Sequence, residues 1–78
     1  MKPAEIEKLI AAALPDSQVA VMSDDDTHFE AVVGSAAFAG KRALQRHQMV
    51  YKTLGDLMGG EIHALSIRAL TPDEHDGA

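Results

Sequence analysis

The sequence predicts an α+β domain in which helices cover one face of a three-stranded mixed sheet. Two features lead to this prediction. The 78 residues are too few for more than one domain, which we take to span residues 1–78. Segments with a helical spacing of apolar residues and short strand-like segments follow one another in the order α-β-β-α-α-β.

The first predicted element is an amphipathic helix. Pro3 suits its first turn, where a missing N–H costs nothing, and apolar residues recur at helical spacing over residues 6–14. Pro15 ends the helix, because a proline further inside would remove a hydrogen bond and clash with the preceding turn. Residues 18–22 then alternate in part between apolar and polar side chains, which indicates a short strand.

A second strand follows the polar turn at residues 23–26. We place it from about residue 27 to residue 33, with Phe29, Ala31 and Val33 on one face. Because the turn is short, the two strands should form a hairpin. The turn contains neither Asn-Gly nor Asp-Gly, so its type stays open.

The segment 41–58 predicts either one bent helix or two short ones, since its apolar residues recur at helical spacing. It follows a connection of small residues, 34–40, in which Phe38 is the only large apolar anchor. Gly59 and Gly60 should end the helical segment, because glycine readily takes the left-handed conformation of helix caps.

The last predicted strand covers residues 62–70 and ends at the Thr71-Pro72 pair. Residues 73–78 then form an acidic tail that is frayed or makes at most one helical turn. The connection between the second and third strands is long enough for a right-handed crossover, so these strands run parallel if they are adjacent. Their N-terminal ends, with His28 and His63, would then lie at one edge of the sheet.

The chain contains no cysteine, which limits the metal chemistry it can support. Soft metal centres favour thiolate ligands, so the chain cannot hold one by itself. Neutral imidazole can still complete a site whose thiolates come from a partner. No His-x-x-x-His or His-Glu-x-x-His pattern occurs, so we expect no autonomous zinc site.

The composition also argues against catalysis and against a membrane location. There is no nucleophile elbow and no phosphate-binding loop, and the acidic residues are scattered over turns and helix faces, so we expect no enzyme. The lack of disulfides fits a reducing compartment, and no apolar run approaches the ~20 residues of a membrane span. We therefore expect a soluble cytoplasmic protein.

Basic residues concentrate in one helical segment, although the net charge of the chain is −5. Residues 31–55 contain neither aspartate nor glutamate. This distribution predicts a basic patch that binds an anionic partner, with a solvated helix face as the alternative. The candidate binding residues are Lys41, Arg42, Arg46, His47 and Lys52, and for His47 helix packing or capping is the alternative.

Four groups of residues resemble the BolA-like family. They are Phe38-Ala39-Gly40-Lys41, the helical Leu44-Gln45-Arg46-His47-Gln48-Met49-Val50-Tyr51, Ile62-His63-Ala64-Leu65-Ser66-Ile67 with the later Thr71-Pro72 pair, and Thr27-His28-Phe29. The last of these is most similar to the shorter bacterial IbaG-type branch. The resemblance covers nearly the whole chain, and the combination is far more specific than any single group.

The resemblance implies a fold similar to a type II KH domain and a non-enzymatic role. Members of the family pair with monothiol CGFS glutaredoxins and share a [2Fe–2S] cluster with them. His63 matches the invariant histidine of the family, and His28 matches its second ligand. The glutaredoxin and glutathione would supply the sulfur ligands, and this chain alone should carry no cofactor.

Two alternatives stay open beside this one. A KH-like DNA- or RNA-binding transcriptional regulator would use the basic segment, although residues 40–43 lack the second glycine of a G-x-x-G loop and Phe29 is the main strand aromatic for stacking bases. A homodimer would pair two sheet edges. The chain also departs from the family at Gln48, where arginine is usual, and in its acidic tail, where tryptophan and a basic tail often follow.

Overall fold

A computed structural model of the chain describes residues 1–14 and 16–76. The regular elements are helix α1 (Pro3–Ala13), strands β1 (Gln18–Met22) and β2 (His28–Gly34), helix α2 (Ala43–Leu54), strand β3 (Ala64–Leu70) and helix α3 (Pro72–Asp76), with short 3-10 turns at Ala36–Phe38 and Gly55–Leu57. The predicted helix end at Pro15 lies outside the described residues.

The strands form one mixed sheet in the order β1-β2-β3. β1 pairs with β2 antiparallel, which confirms the hairpin. β2 pairs with β3 in parallel, with His28 opposite Ala64 and Gly34 opposite Leu70. The crossover through α2 therefore joins adjacent parallel strands, as the length of the connection predicts.

Both long helices pack on one face of the sheet, which confirms the predicted α+β architecture. α1 contributes Ile6 and Ile10 to the core, and α2 contributes Val50 and Leu54. The core residues are Ile6, Ile10, Val21, Phe29, Ala31, Val33, Phe38, Val50, Leu54, Ile62 and Leu65. They include the three β2 residues that the alternation places on one face and the predicted anchor Phe38.

The predicted helical segment consists of an α-helix and a 3-10 turn. α2 stops at Leu54, and its C-cap Gly55 has a φ of 54°, a conformation that favours glycine. One 3-10 turn follows, so the segment is a helix with a short appended turn. The helical segment as a whole continues to Leu57, and Gly59, with a φ of 85°, follows its C-cap Met58, so the predicted glycine pair does lie at its end.

β3 also begins later than predicted, at Ala64 rather than Ile62. The backbone N–H of Ile62 donates to the carbonyl of Leu57, and its carbonyl accepts the N–H of Gly59. These turn hydrogen bonds occupy the groups that a strand pairing would need. Ile62 is nonetheless fully buried, so this turn fixes the chain immediately before β3.

Residues 72–76 form a five-residue helix, which is more than the single turn that the acidic tail predicts. The Glu74 carboxylate accepts the backbone N–H of Thr71 at 2.8 Å, and the Glu74 N–H lies 3.4 Å from the Thr71 hydroxyl. This reciprocal arrangement is a capping box, which satisfies backbone donors at a helix start. Residues 77 and 78 lie outside the described residues.

Tyr51 of α2 lies at the margin of the core and is not buried in it. Tyr51 is 37% exposed, and its hydroxyl donates to the carbonyl of Leu65 at 3.2 Å. This contact shows that Tyr51 lies on the side of α2 that meets β3. None of the helices in the described ranges has the length and apolar character needed to cross a membrane.

Candidate functional site

The parallel pairing of β2 and β3 brings His28 and His63 together. His28 is the first residue of β2, and His63 directly precedes β3. The N–H of His63 donates to the carbonyl of Thr27 at 3.1 Å, which extends the alignment of the two strands by one residue. The centroids of the two imidazole rings lie 6.2 Å apart with their planes at 53°. We call these two side chains the histidine pair.

The histidine pair faces solvent. Both residues are exposed, and the His28 side chain keeps 65% of its surface accessible. A histidine that only filled the core would be enclosed and hydrogen-bonded. Two accessible rings at this separation can instead approach one metal centre, because each metal–nitrogen bond is about 2.0–2.1 Å long.

A hydrogen-bonded turn at residues 23–27 positions His28. The Ser23 hydroxyl donates to the carbonyl of His28 at 2.6 Å and accepts the N–H of Asp26 at 2.9 Å. Asp26 has a φ of 59°, the left-handed conformation that aspartate tolerates better than most residues. The turn thus ends in a defined backbone geometry at the first residue of β2.

Asp25 is a residue of the candidate site that the sequence did not reveal. Its Oδ1 atom accepts the backbone N–H groups of Thr27 and His28, at 3.0 and 2.9 Å. Its Oδ2 atom lies 2.8 Å from Nδ1 of His28. The His28 backbone N–H and the His28 ring, together with the Thr27 N–H, hold the pKa of Asp25 far below its usual range. An aspartate three residues before a histidine at a strand start was the available signal.

The histidine pair does not complete a metal site by itself. Within residues 1–14 and 16–76, no group of three or more histidine, cysteine, aspartate or glutamate side chains could hold a metal ion. The chain also offers no thiolate. The donor set therefore consists of two imidazoles, and a four-coordinate metal would need further ligands from another molecule.

An open groove of about 380 Å³ lies beside His28 on the uncovered face of the sheet. Its lining includes the acidic residues Asp24, Asp25 and Glu30. A partner that reaches the histidine pair would meet this groove next, so its contacting surface should offer donor or cationic groups here.

The residues of the predicted basic patch differ in their exposure to solvent. Lys41, Arg42 and Lys52 are exposed and His47 is half-buried. The side chain of Arg46 is only 15% exposed, because its guanidinium is engaged within the fold. Arg46 therefore offers an anionic partner little free surface, and for the other four residues partner binding stays a prediction.

Arg46 joins three parts of the chain. Its Nε donates to the carbonyl of Lys41 at 2.9 Å, and its Nη1 donates to the carbonyl of Ala69 at 3.1 Å. The same Nη1 forms an ion pair with Glu74 at 2.8 Å. The residue thus connects the start of α2, the end of β3 and α3.

A family model described as BolA-like protein matches residues 6–74 of the chain. An uncharacterized protein from the rpoN-murA intergenic region of Acinetobacter guillouiae is 37% identical over 75 residues, which cover 95% of this chain and 89% of that protein. The relation to this bacterial protein is consistent with the IbaG-type branch.

The DNA-binding transcriptional regulator BolA of Escherichia coli (strain K12) is 37% identical over 57 residues, or 73% of this chain and 54% of the regulator. The structure of a bolA protein homologue from Coxiella burnetii has a TM-score of 0.87 to this chain at 42% identity and covers 97% of both chains. The matched segment spans only 39% of the length of the mammalian relatives.

Proposed function

Since this chain belongs to the BolA-like family, we propose that it is a non-enzymatic cytoplasmic partner of a monothiol CGFS glutaredoxin and shares a [2Fe–2S] cluster with it. In this proposal His63 and His28 are the ligands from this chain, and the glutaredoxin and its glutathione supply sulfur. The role is cluster trafficking or iron sensing.

The separation of 6.2 Å between two exposed imidazoles is the observation that carries this proposal. If the two histidines were only solvated residues at strand ends, their rings would have no reason to lie close together. The parallel alignment of β2 and β3 brings the rings together although the residues are distant in sequence. The incomplete donor set fits a shared site, since the missing ligands are the thiolates that a cysteine-free chain lacks.

Imidazole ligation also suits a mobile or sensing cluster. Replacing thiolates with histidines on one iron raises the reduction potential of a [2Fe–2S] centre, as in Rieske proteins. Imidazole binds a metal only when it is neutral, so protons compete with the metal for both rings. Ligands of this kind release a cluster more readily than four thiolates would.

The exposed basic residues can add affinity for the partner. Lys41, Arg42 and Lys52 lie on or beside α2, where an acidic glutaredoxin surface or the carboxylates of glutathione could meet them. Exposed charges of this type mainly accelerate association and orient the partners. His47 is half-buried on the same helix and belongs to this surface in the proposal.

Reconstitution with a CGFS glutaredoxin, glutathione, iron and sulfide tests the proposal. We expect the mixed complex to give a visible circular dichroism spectrum that differs from that of the glutaredoxin homodimer. His63→Ala should abolish this difference, because it removes one of two imidazoles at the site, and His28→Ala should reduce or abolish it. His75→Ala is the control, since it removes the same residue type at a position outside the histidine pair. An unchanged spectrum for His63→Ala would show that the ligand assignment is wrong.

A nucleic-acid-binding regulator is the second candidate, because the Escherichia coli relative is named a DNA-binding transcriptional regulator. Lys41, Arg42 and Lys52 would provide the phosphate contacts. Phe29 is 2% exposed and therefore cannot stack on bases. This candidate predicts affinity for DNA or RNA that falls steeply with added salt and that Lys41→Glu weakens. Gel shifts without binding at low salt would eliminate it.

A further inference from the structure

We propose that Asp25 is a positioning residue that fixes the tautomer of His28, so that Nδ1 carries the proton and Nε2 is the metal-binding atom. The inference deepens the proposed function and rests on it for the identity of the metal centre. The tautomer itself is a property of the free protein and can be measured without a partner.

The Asp25 carboxylate is held in place by backbone groups, independently of its contact with the His28 ring. Two backbone N–H groups, of Thr27 and His28, donate to its Oδ1 atom. These contacts leave Oδ2 directed at the imidazole, 2.8 Å from Nδ1 of His28. The carboxylate therefore cannot turn away from the ring without breaking backbone hydrogen bonds of the turn.

The chemistry of this contact determines where the proton lies. An ionised carboxylate has no proton and can only accept, so the hydrogen in the contact must be on Nδ1. An aspartate carboxylate is ordinarily ionised at neutral and mildly alkaline pH, and here two backbone N–H groups donate to it as well. The Thr27 hydroxyl oxygen lies 3.1 Å from the same Nδ1 and offers a second acceptor.

With the proton on Nδ1, the lone pair of a neutral imidazole is on Nε2. Metal-binding histidines commonly donate their other ring N–H to a carboxylate, which orients the ring and makes it a better ligand. Asp25 stands in that relation to His28. Nε2 of His28 is thus available as the metal-binding atom already in the free protein.

The two members of the histidine pair differ in this respect. Across the part of the chain that the structure describes, the ring of His63 takes part in no hydrogen bond, whereas the ring of His28 is held by Asp25. In the proposal His28 is therefore a preset ligand, whereas no hydrogen bond within the described residues fixes the ring of His63. Preset ligands lose less conformational entropy on binding.

Asp25→Asn tests the assignment. The amide oxygen of asparagine can still accept the Thr27 and His28 N–H groups, but its NH₂ group would then face Nδ1 as a donor. A neutral ring should respond by moving its proton to Nε2, as a histidine does when its aspartate partner is replaced by asparagine in a serine protease triad. Asp24→Asn is the matched control, because it removes the same charge from the neighbouring position.

The first measurement is the tautomer of His28 in the free, ¹⁵N-labelled protein at mildly alkaline pH. Long-range ¹H–¹⁵N correlation spectra should show the Nδ1–H form in the wild type and in Asp24→Asn, and a shift toward the Nε2–H form in Asp25→Asn. A wild-type ring in the Nε2–H form, or the same tautomer in both variants, would overturn the inference.

The second measurement follows cluster loss from the complex with glutaredoxin. Removing a hydrogen-bond partner of a metal-binding histidine costs about 10–100-fold in metal affinity. The complex formed with Asp25→Asn should therefore release the cluster faster than the complex formed with Asp24→Asn, by a factor within this range of about 10–100-fold. Equal release rates would overturn the role of Nε2 as the ligand atom. If the wild type forms no mixed complex, the proposed function fails, and the tautomer measured in the free protein still decides the role of Asp25.

Discussion

Arg46 and Glu74 form an ion pair that ties the C-terminal helix to the rest of the fold. The guanidinium also donates to the carbonyls of Lys41 and Ala69, so that three of its five N–H groups are used within the fold. The basic residue at the centre of the predicted patch thus has a structural role. Its positive charge reaches Glu74 only because the end of β3 lies beside the start of α2, and the sequence alone does not show this proximity.

The Glu74 carboxylate should make stability depend on acid pH. Hydrogen bonds from the Thr71 N–H and from Arg46 lower the pKa of Glu74 from its ordinary 4.5 to about 2. Because the folded state binds this proton more weakly, the stabilisation is complete above pH 4.5 and is lost as the pH falls toward 2. In thermal unfolding near neutral pH, Glu74→Gln should melt at a lower temperature than the wild type. Between pH 4.5 and pH 2, its melting temperature should fall less than that of the wild type.

Asp73→Asn is the control for this experiment, since it neutralises the adjacent acidic residue in the first turn of α3. Its melting temperature should follow the wild type from neutral to acid pH. Equal slopes for the wild type and for Glu74→Gln would show that the Glu74 contacts do not contribute to folding.

Side chains from the helices occupy some of the free backbone groups on both outer strands of the sheet. On β1, the N–H of Val21 donates to the Glu7 carboxylate of α1 at 3.0 Å. On β3, the carbonyl of Leu65 accepts the Tyr51 hydroxyl, and the carbonyl of Ala69 accepts Arg46. Unpaired backbone groups on edge strands invite pairing with another chain, and these contacts occupy three of them. We therefore expect the free protein to be a monomer.

Removing one of these blocking side chains should promote self-association. Glu7→Ala leaves the Val21 N–H on β1 without its acceptor, so a second copy can supply a carbonyl in its place. Sedimentation velocity at increasing protein concentration should show a larger dimer fraction than in the wild type.

Glu30→Ala provides the comparison, because it removes the same charge from an exposed position on β2, the central strand. A dimer fraction that rises equally in both variants would indicate an effect of charge rather than of the strand edge. A fraction that rises in neither would show that Glu7 does not protect this edge.

The order of the elements and the parallel pairing follow from local patterns and from the length of one connection. Apolar spacing predicts α1 and the buried face of β2, since these positions face the core. The bounds depend instead on competing turn geometry. Gly55 ends α2 before the glycine pair at 59–60, and the hydrogen bonds of Ile62 within the preceding turn delay the start of β3.

The candidate site was predictable to a different degree. His28 and His63 could be placed together because parallel strands align their N-terminal ends. The Asp25 contact was hidden, because the composition of the turn does not determine its geometry and the ring orientation depends on it. The Arg46 contacts join residues that are remote in sequence, so no local pattern indicates them.

The register of β2 and β3 has a consequence for how this chain can vary. The distance between the histidine rings is set where the two strands start, by the pairing of Thr27 with His63 and of His28 with Ala64. The number of residues between the two histidines does not affect this distance. Insertions or deletions at the exposed Gly59-Gly60 turn would therefore change the length of the connection and leave the spacing of the rings intact, provided that Ile62 still reaches the core.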